Sequence, residues 1–129
     1  MNPTLLSGLN PEQLAAVTLS PCGALPSQSA LILAGAGSGK TRVLTTRIAW
    51  LISSEQVSPH EILAVTFTNK AAKEMMMRLS SMLPINIRGM WMGTFHGLCN
   101  RMLRAHYREA GLLQTFQILD SGDQLSMIK

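Results

Sequence analysis

The octapeptide Ala34-Gly35-Ala36-Gly37-Ser38-Gly39-Lys40-Thr41 limits what this chain can fold into more than any other feature. It follows directly on the apolar run Ala30-Leu31-Ile32-Leu33 and precedes a segment with helical periodicity. A strand, a glycine-rich turn and a helix in that order form the setting of a phosphate-binding loop. Glycines at 35, 37 and 39 permit turns that a Cβ would forbid, and they bring backbone N–H groups close to phosphate oxygens. A helix beginning near Gly39 aims its unpaired N–H groups and its positive dipole end at the same anion. Lys40 adds a cation for the β- and γ-phosphates, and the Thr41 hydroxyl can ligate Mg²⁺. The strict pattern begins with glycine. Here that position is Ala34, so the match is to the relaxed form.

The 129 residues, 47% of them apolar, suffice for one domain with a real core. The net charge of +4 suits a polyanionic partner, although nucleotide phosphates already account for part of it. Cys22 and Cys99 lie far apart without metal-ligand spacing. They predict neither a disulfide framework nor a zinc site, and they fit a reducing cytoplasm. Cys99 is expected on a helix face as a small hydrophobe. Residues 1–9 lack the basic start and apolar core of a signal peptide. No apolar run reaches membrane-spanning length. The expectation is a soluble cytoplasmic protein.

Asn10-Pro11-Glu12-Gln13 reads as a helix start: an N-cap, a proline at the first position, and a glutamine three residues after the cap. Leu14, Val17 and Ala16 form that helix's apolar side. Residues 20–29, rich in Pro, Gly and Ser, predict a surface loop. Residues 30–34 predict a buried strand. A helix follows over about 39–53, with Leu44, Ile48, Leu51 and Ile52 on one face. A second strand is expected at 62–66. The next helix spans about 69–82 from a cap at Asn69, with Ala72, Met75, Met76, Leu79 and Leu83 at helical spacing. The run Met75-Met76-Met77 fits a core face better than a cofactor site. A third strand at 90–94 leads into a helix over 95–110 that ends at Gly111. Gln117-Ile118-Leu119 predicts a short extended piece, and Asp120 an N-cap for a last helix. Apolar strands alternating with helices imply an α/β fold, its parallel sheet covered on both faces.

Four further segments carry a resemblance. Leu9-Asn10-Pro11-Glu12-Gln13-Leu14-Ala15-Ala16-Val17 resembles the glutamine motif upstream of the phosphate loop in superfamily 1 DNA helicases. Ala64-Val65-Thr66-Phe67-Thr68-Asn69-Lys70-Ala71-Ala72-Lys73-Glu74-Met75 is similar to that family's motif Ia, and Gly93-Thr94-Phe95-His96-Gly97 to its next block. Phe116-Gln117-Ile118-Leu119-Asp120 with Asp123-Gln124 also fits. Together they resemble the UvrD/Rep/PcrA group, in order and over nearly the whole chain.

The resemblance implies a P-loop NTPase: a RecA-like parallel sheet flanked by helices, domain 1A, interrupted by a helical insertion, 1B. Residues 1–94 match the first part of 1A and 95–129 the start of 1B. It implies ATP and Mg²⁺ as cofactors, and single-stranded DNA and duplex junctions as partners. DNA-repair proteins would engage regions outside this segment. The implied activity is ATP-driven 3′-to-5′ translocation and unwinding in DNA repair or replication. The family's Asp-Glu pair, arginine finger and second motor domain are not found in the 129 residues. The expectation is an N-terminal fragment with negligible ATPase of its own.

The implied ATP-binding residues are Gln13, Ala34, Gly35, Ala36, Gly37, Ser38, Gly39, Lys40, Thr41 and Arg42, with Lys40 and Thr41 catalytic and Thr41 on Mg²⁺. The Gln13 amide could meet the adenine edge, since it offers a donor and an acceptor together. The alternative is that it serves only the capping box, and both roles are compatible. Arg42 could stack on adenine or be a solvated helix residue. The implied DNA-binding residues are Thr66, Phe67, Asn69 and His96, beyond the ends of strands where open parallel sheets bind ligands. Phe67 could stack on a base, or it could be core. His96 is assigned to the DNA side and to no proton transfer. Arg101, Arg104 and Arg108 share a helix face that is either a phosphate stripe or simply solvated. Two other functions share these motifs. One is the motor of a helicase–nuclease subunit; the other is a non-catalytic, nucleotide-dependent DNA-binding module.

Overall fold

The computed structural model describes residues 3–19, 29–35, 39–54, 57–119 and 121–128. Chain contacts divide the molecule into two compact units, residues 1–95 and 96–129.

The first unit opens with a 3₁₀ turn, Pro3–Leu6, and helix α1, Pro11–Val17. The start of α1 follows from its sequence. The Asn10 side chain accepts from the Gln13 N–H at 2.8 Å, and the Gln13 side chain accepts from the Asn10 N–H at 3.0 Å. Two N–H groups that the helix itself cannot satisfy are thereby paired. Helix α2, Lys40–Ser53, packs against α1 and against α3, Asn69–Met82. Arg47 ties α1 to α2 by donating from Nη1 to the Val17 carbonyl at 2.8 Å and to the Leu19 carbonyl at 3.2 Å. Those are orphan carbonyls at and beyond the end of a helix, where a cation also meets the negative dipole end.

Strands β1, Leu63–Thr66, and β2, Trp91–Thr94, pair in parallel, with Leu63 opposite Trp91 and Thr66 opposite Thr94. Helix α3 is the crossover between them and lies on both strands. The core gathers Ile48, Ala49 and Ile52 of α2, Ala64 of β1, and Met75 and Leu79 of α3. Leu83, Ile87 and Met90 of the connection to β2 complete it. Met75 and Leu79 are buried and Met77 is exposed, so the methionine run splits between core and solvent, as a 3.6-residue period requires. On α2 the buried face is Val43, Thr45, Thr46, Ile48, Ala49 and Ile52, while Leu44 stays exposed. The buried Thr45 hydroxyl bonds back to the Thr41 carbonyl at 2.9 Å, so its polar atom is satisfied within the helix.

Four expectations are corrected. Residues 30–34 form no strand: Leu31 is 84% and Leu33 86% exposed, and no described segment bonds to them. A parallel strand exists only when its backbone groups are paired alongside, and an apolar composition does not supply the neighbour. The sheet is correspondingly small, with α3 on one face, and Leu63 remains exposed. The cap of α3 is Thr68, whose hydroxyl accepts from the Ala71 N–H at 3.1 Å; Asn69 is the first helical residue. Cys99 lies on a helix, as expected, but as an exposed free thiol and not as a packed small hydrophobe.

Helix α4, Phe95–Ala105, starts at the last residue of the first unit, continues in the second, and ends earlier than its periodicity suggested. The chain then makes one more helical turn. It stops at Gly111, φ +72°, whose N–H meets the Arg108 carbonyl at 3.1 Å while the Leu112 N–H meets that of Tyr107 at 2.8 Å. This is a Schellman ending, in which glycine takes the left-handed position at no steric cost. Residues 117–119 form no strand, and α5 covers Ser121–Ile128. Asp120, the expected cap, lies outside the described residues, as does most of the 20–29 loop. No helix among the described residues is long and apolar enough to cross a membrane.

Candidate functional site

Helix α2 starts differently from α1 and α3. Its N-cap is Gly39, at φ +83°, and no side chain caps it. Among the described residues, no N-cap side chain meets the donors of the first turn around Lys40, Thr41 and Arg42. Gly39 suits this position for two reasons. The positive φ disfavours any Cβ, and a Cβ would sit 3.1 Å from the Gln13 Nε2. The Gln13 amide thus lies directly against the start of α2.

A cleft of about 160 Å³ opens at this junction, lined by Asn10, Gln13, Ala34, Lys40 and Val43 among others. It brings together Gln13, Ala34 and Lys40, three of the residues singled out in the sequence. Gly35 and Thr41 are exposed beside it in the chain. Ala36, Gly37 and Ser38 lie outside the described residues. Gln13 also keeps its capping role, because its side-chain oxygen is the group bonded to Asn10. Arg42 is not a freely solvated side chain. Its Nη2 donates to the Ser7 carbonyl at 3.1 Å, and it lies against Gly8, whose φ is +77°. No group of three or more metal-ligating side chains occurs among the described residues. A divalent cation here would rest on the Thr41 hydroxyl, phosphate oxygens and water, an arrangement that suits Mg²⁺.

A second cluster stands at the carboxyl ends of the strands. Thr66 ends β1, and its hydroxyl donates to the Thr68 carbonyl at 3.2 Å. Phe67 follows in a tight bend and is 89% exposed, so it is not a core residue. Asn69 is exposed in the first turn of α3. The ring beside Phe67 is Phe95, with centroids 5.5 Å apart and planes tilted by 56°.

His96 belongs to the second unit, where it is exposed in the first turn of α4. In that unit the arginine stripe is interrupted. The Arg104 guanidinium lies 4.1 Å from the Phe116 ring centroid, and Arg108, beyond the end of α4, lies against Tyr107. These arginines have local aromatic partners, an attraction of about 0.5–1 kcal/mol at exposed sites.

Two residues escaped sequence reasoning. Arg47 has carbonyl partners 28 and 30 residues away, which no local pattern announces. Phe95 was legible in principle, because it follows β2 at the position where Phe67 follows β1.

A strand–helix–strand crossover on a parallel pair, preceded by an uncapped helix start with a lysine and an amide beside it, has the parts of a nucleotide-binding domain. Residues 9–129 match the model of the UvrD/REP helicase N-terminal domain, and the chain belongs to that family. It is 57% identical over 125 residues to DNA helicase II of Escherichia coli, covering 97% of this chain and 16% of that protein. It is 52% identical to the ATP-dependent DNA helicase PcrA of Bacillus subtilis over the same share of each. The chain thus spans about a sixth of the length of the curated relatives it matches.

Proposed function

We propose that this chain is the ATP-binding, N-terminal part of an ATP-dependent DNA helicase that moves 3′ to 5′ on single-stranded DNA and opens duplex junctions. In this reading it acts in the cytoplasm, in DNA repair or replication. Residues 1–94 are the first part of a RecA-like domain 1A, and 95–129 begin the helical insertion 1B. The observation that carries the proposal is the start of α2, where an uncapped first turn, Lys40 and the Gln13 amide share one cleft. The relatives' names, DNA helicase II and ATP-dependent DNA helicase PcrA, agree with it.

The nucleotide's β- and γ-phosphates lie on the backbone N–H groups of residues 35–41 and on the Lys40 ammonium. The Thr41 hydroxyl would be one ligand of Mg²⁺, which would neutralise phosphate charge. Gln13 reads the adenine edge, and Arg42, held by Ser7, flanks the base. Thr66, Phe67, Asn69 and His96 face DNA. The phosphate loop and the strand ends belong to one small unit, so nucleotide state can bias the DNA grip.

Gln13→Glu in the full-length protein separates the two roles of Gln13. Glutamate still accepts from the Asn10 N–H, as either residue does in a capping box, but it has no amide donor for adenine. Melting temperature is expected to hold while ADP affinity falls about tenfold, the worth of about one hydrogen bond. Unchanged ADP affinity would sink the adenine role.

Phe67→Ala tests the DNA side. Single-stranded DNA binding is expected to weaken by about 1–3 kcal/mol, similarly for different base sequences. Nucleotide affinity without DNA and melting temperature should stay the same, because the ring is exposed. A sharp drop in melting temperature together with loss of both ligands would show a packing role instead.

A further inference from the structure

We propose that Phe95 is a positioning residue that holds the Phe67 ring ready to receive a base of single-stranded DNA. This rests on the reading of Phe67 as a stacking platform. Register supplies the first support. Thr66 pairs with Thr94 at the carboxyl ends of β1 and β2, so residues 67 and 95 leave the sheet side by side. Ring geometry supplies the second. The centroids are 5.5 Å apart and the planes are tilted by 56°, within the distance range of interacting aromatic pairs.

The third support is the contrast in how the two residues are held. Phe67 sits in the two-residue bend between β1 and α3 and is 89% exposed. Its backbone is pinned on both sides, by the Thr66 hydroxyl bond to the Thr68 carbonyl and by the Thr68 cap on Ala71. What stays free is its side-chain rotamer. Phe95 is the first residue of α4, next to the last paired residue of β2, and is 52% exposed. A ring anchored at a strand–helix junction limits where its neighbour can swing. A side chain already in its binding rotamer loses less freedom when a base arrives, so preorganisation appears as affinity. One face of Phe67 stays open to solvent for the base.

The test uses the full-length protein, a fluorescein-labelled oligodeoxythymidylate read by anisotropy, and an oligonucleotide carrying 2-aminopurine, whose fluorescence reports stacking. Phe95→Leu removes the ring and keeps apolar bulk at the helix start. It is expected to weaken oligodeoxythymidylate binding about two- to tenfold, the range of an aromatic pair. It should also reduce 2-aminopurine quenching, with ADP affinity and melting temperature unchanged. Phe95→Tyr, which keeps the ring, should restore both DNA signals. In a Phe67→Ala background, Phe95→Leu should have no further effect. Equal weakening in both backgrounds would overturn the proposal, since Phe95 would then act on DNA or on folding independently of Phe67. Unchanged binding in Phe95→Leu alone would overturn it too. If Phe67→Ala itself binds DNA normally, the platform reading fails and the positioning role fails with it. A normal Phe95→Leu beside a weakened Phe67→Ala defeats the positioning role only.

Discussion

Lys40→Ala in a full-length protein carrying this segment is expected to lower DNA-stimulated ATP hydrolysis at least about a hundredfold. Removing a single preorganised group that stabilises developing charge commonly costs about 10²–10³ in rate. The substitution suits the helix, since alanine is the best helix former and Lys40 is exposed at the first position of α2. The folded state should therefore persist, with an unchanged melting temperature. Steady-state ATPase with and without single-stranded DNA reads the result. Turnover near that of the unaltered protein would remove the phosphate-loop assignment and the proposed function with it.

Leu79→Ala should produce the largest loss of stability among single changes on α3. The side chain is fully buried, between Met75 and Leu83 in a core that joins α2, α3 and β1. Truncating a buried leucine costs about 2–5 kcal/mol through lost burial and the cavity left behind. Amide hydrogen exchange within α3 should accelerate at least about thirtyfold, the equivalent of the lower bound. Met77→Ala, two residues earlier and exposed, should change protection little. Similar effects from both would mean that α3 does not bury the face described.

Helix α3 and the two strands were legible because their apolar residues repeat at the period of the element they form. Met75, Leu79 and Leu83 fall on one stripe, and the strands lie in the short, mostly apolar stretches 62–66 and 90–94, which follow Pro59 and Gly89. Residues 30–34 have the same composition and form no strand, because a strand is a relation between segments and only one side of that relation is written locally. The Gln13 capping box was legible for the opposite reason: every partner lies within three residues. The nearness of Gln13 to Gly39 was not, because 26 residues separate them and only the packing of α1 on α2 closes the gap. Helix α4 was overrun by a few residues because its periodicity continues past Ala105, whereas Gly111 marked the final stop correctly.

Arg47 and Arg42 together give α1 and α2 the character of a caliper. Arg47 fastens one jaw at Val17 and Leu19, and Arg42 fastens the chain ahead of α1 at Ser7. These contacts lie on either side of the place where Gln13 approaches the start of α2. A tool with a fixed gap gauges length as well as charge. On the proposed function, inorganic pyrophosphate would touch one jaw and a free nucleoside the other, while a nucleotide of the right base would span both. Slackening the Arg47 fastening would leave simple phosphates bound as before and blur the distinction between one base and another. On that reading, selectivity for the nucleotide would rest in part on Arg47, whose partners are the carbonyls of Val17 and Leu19.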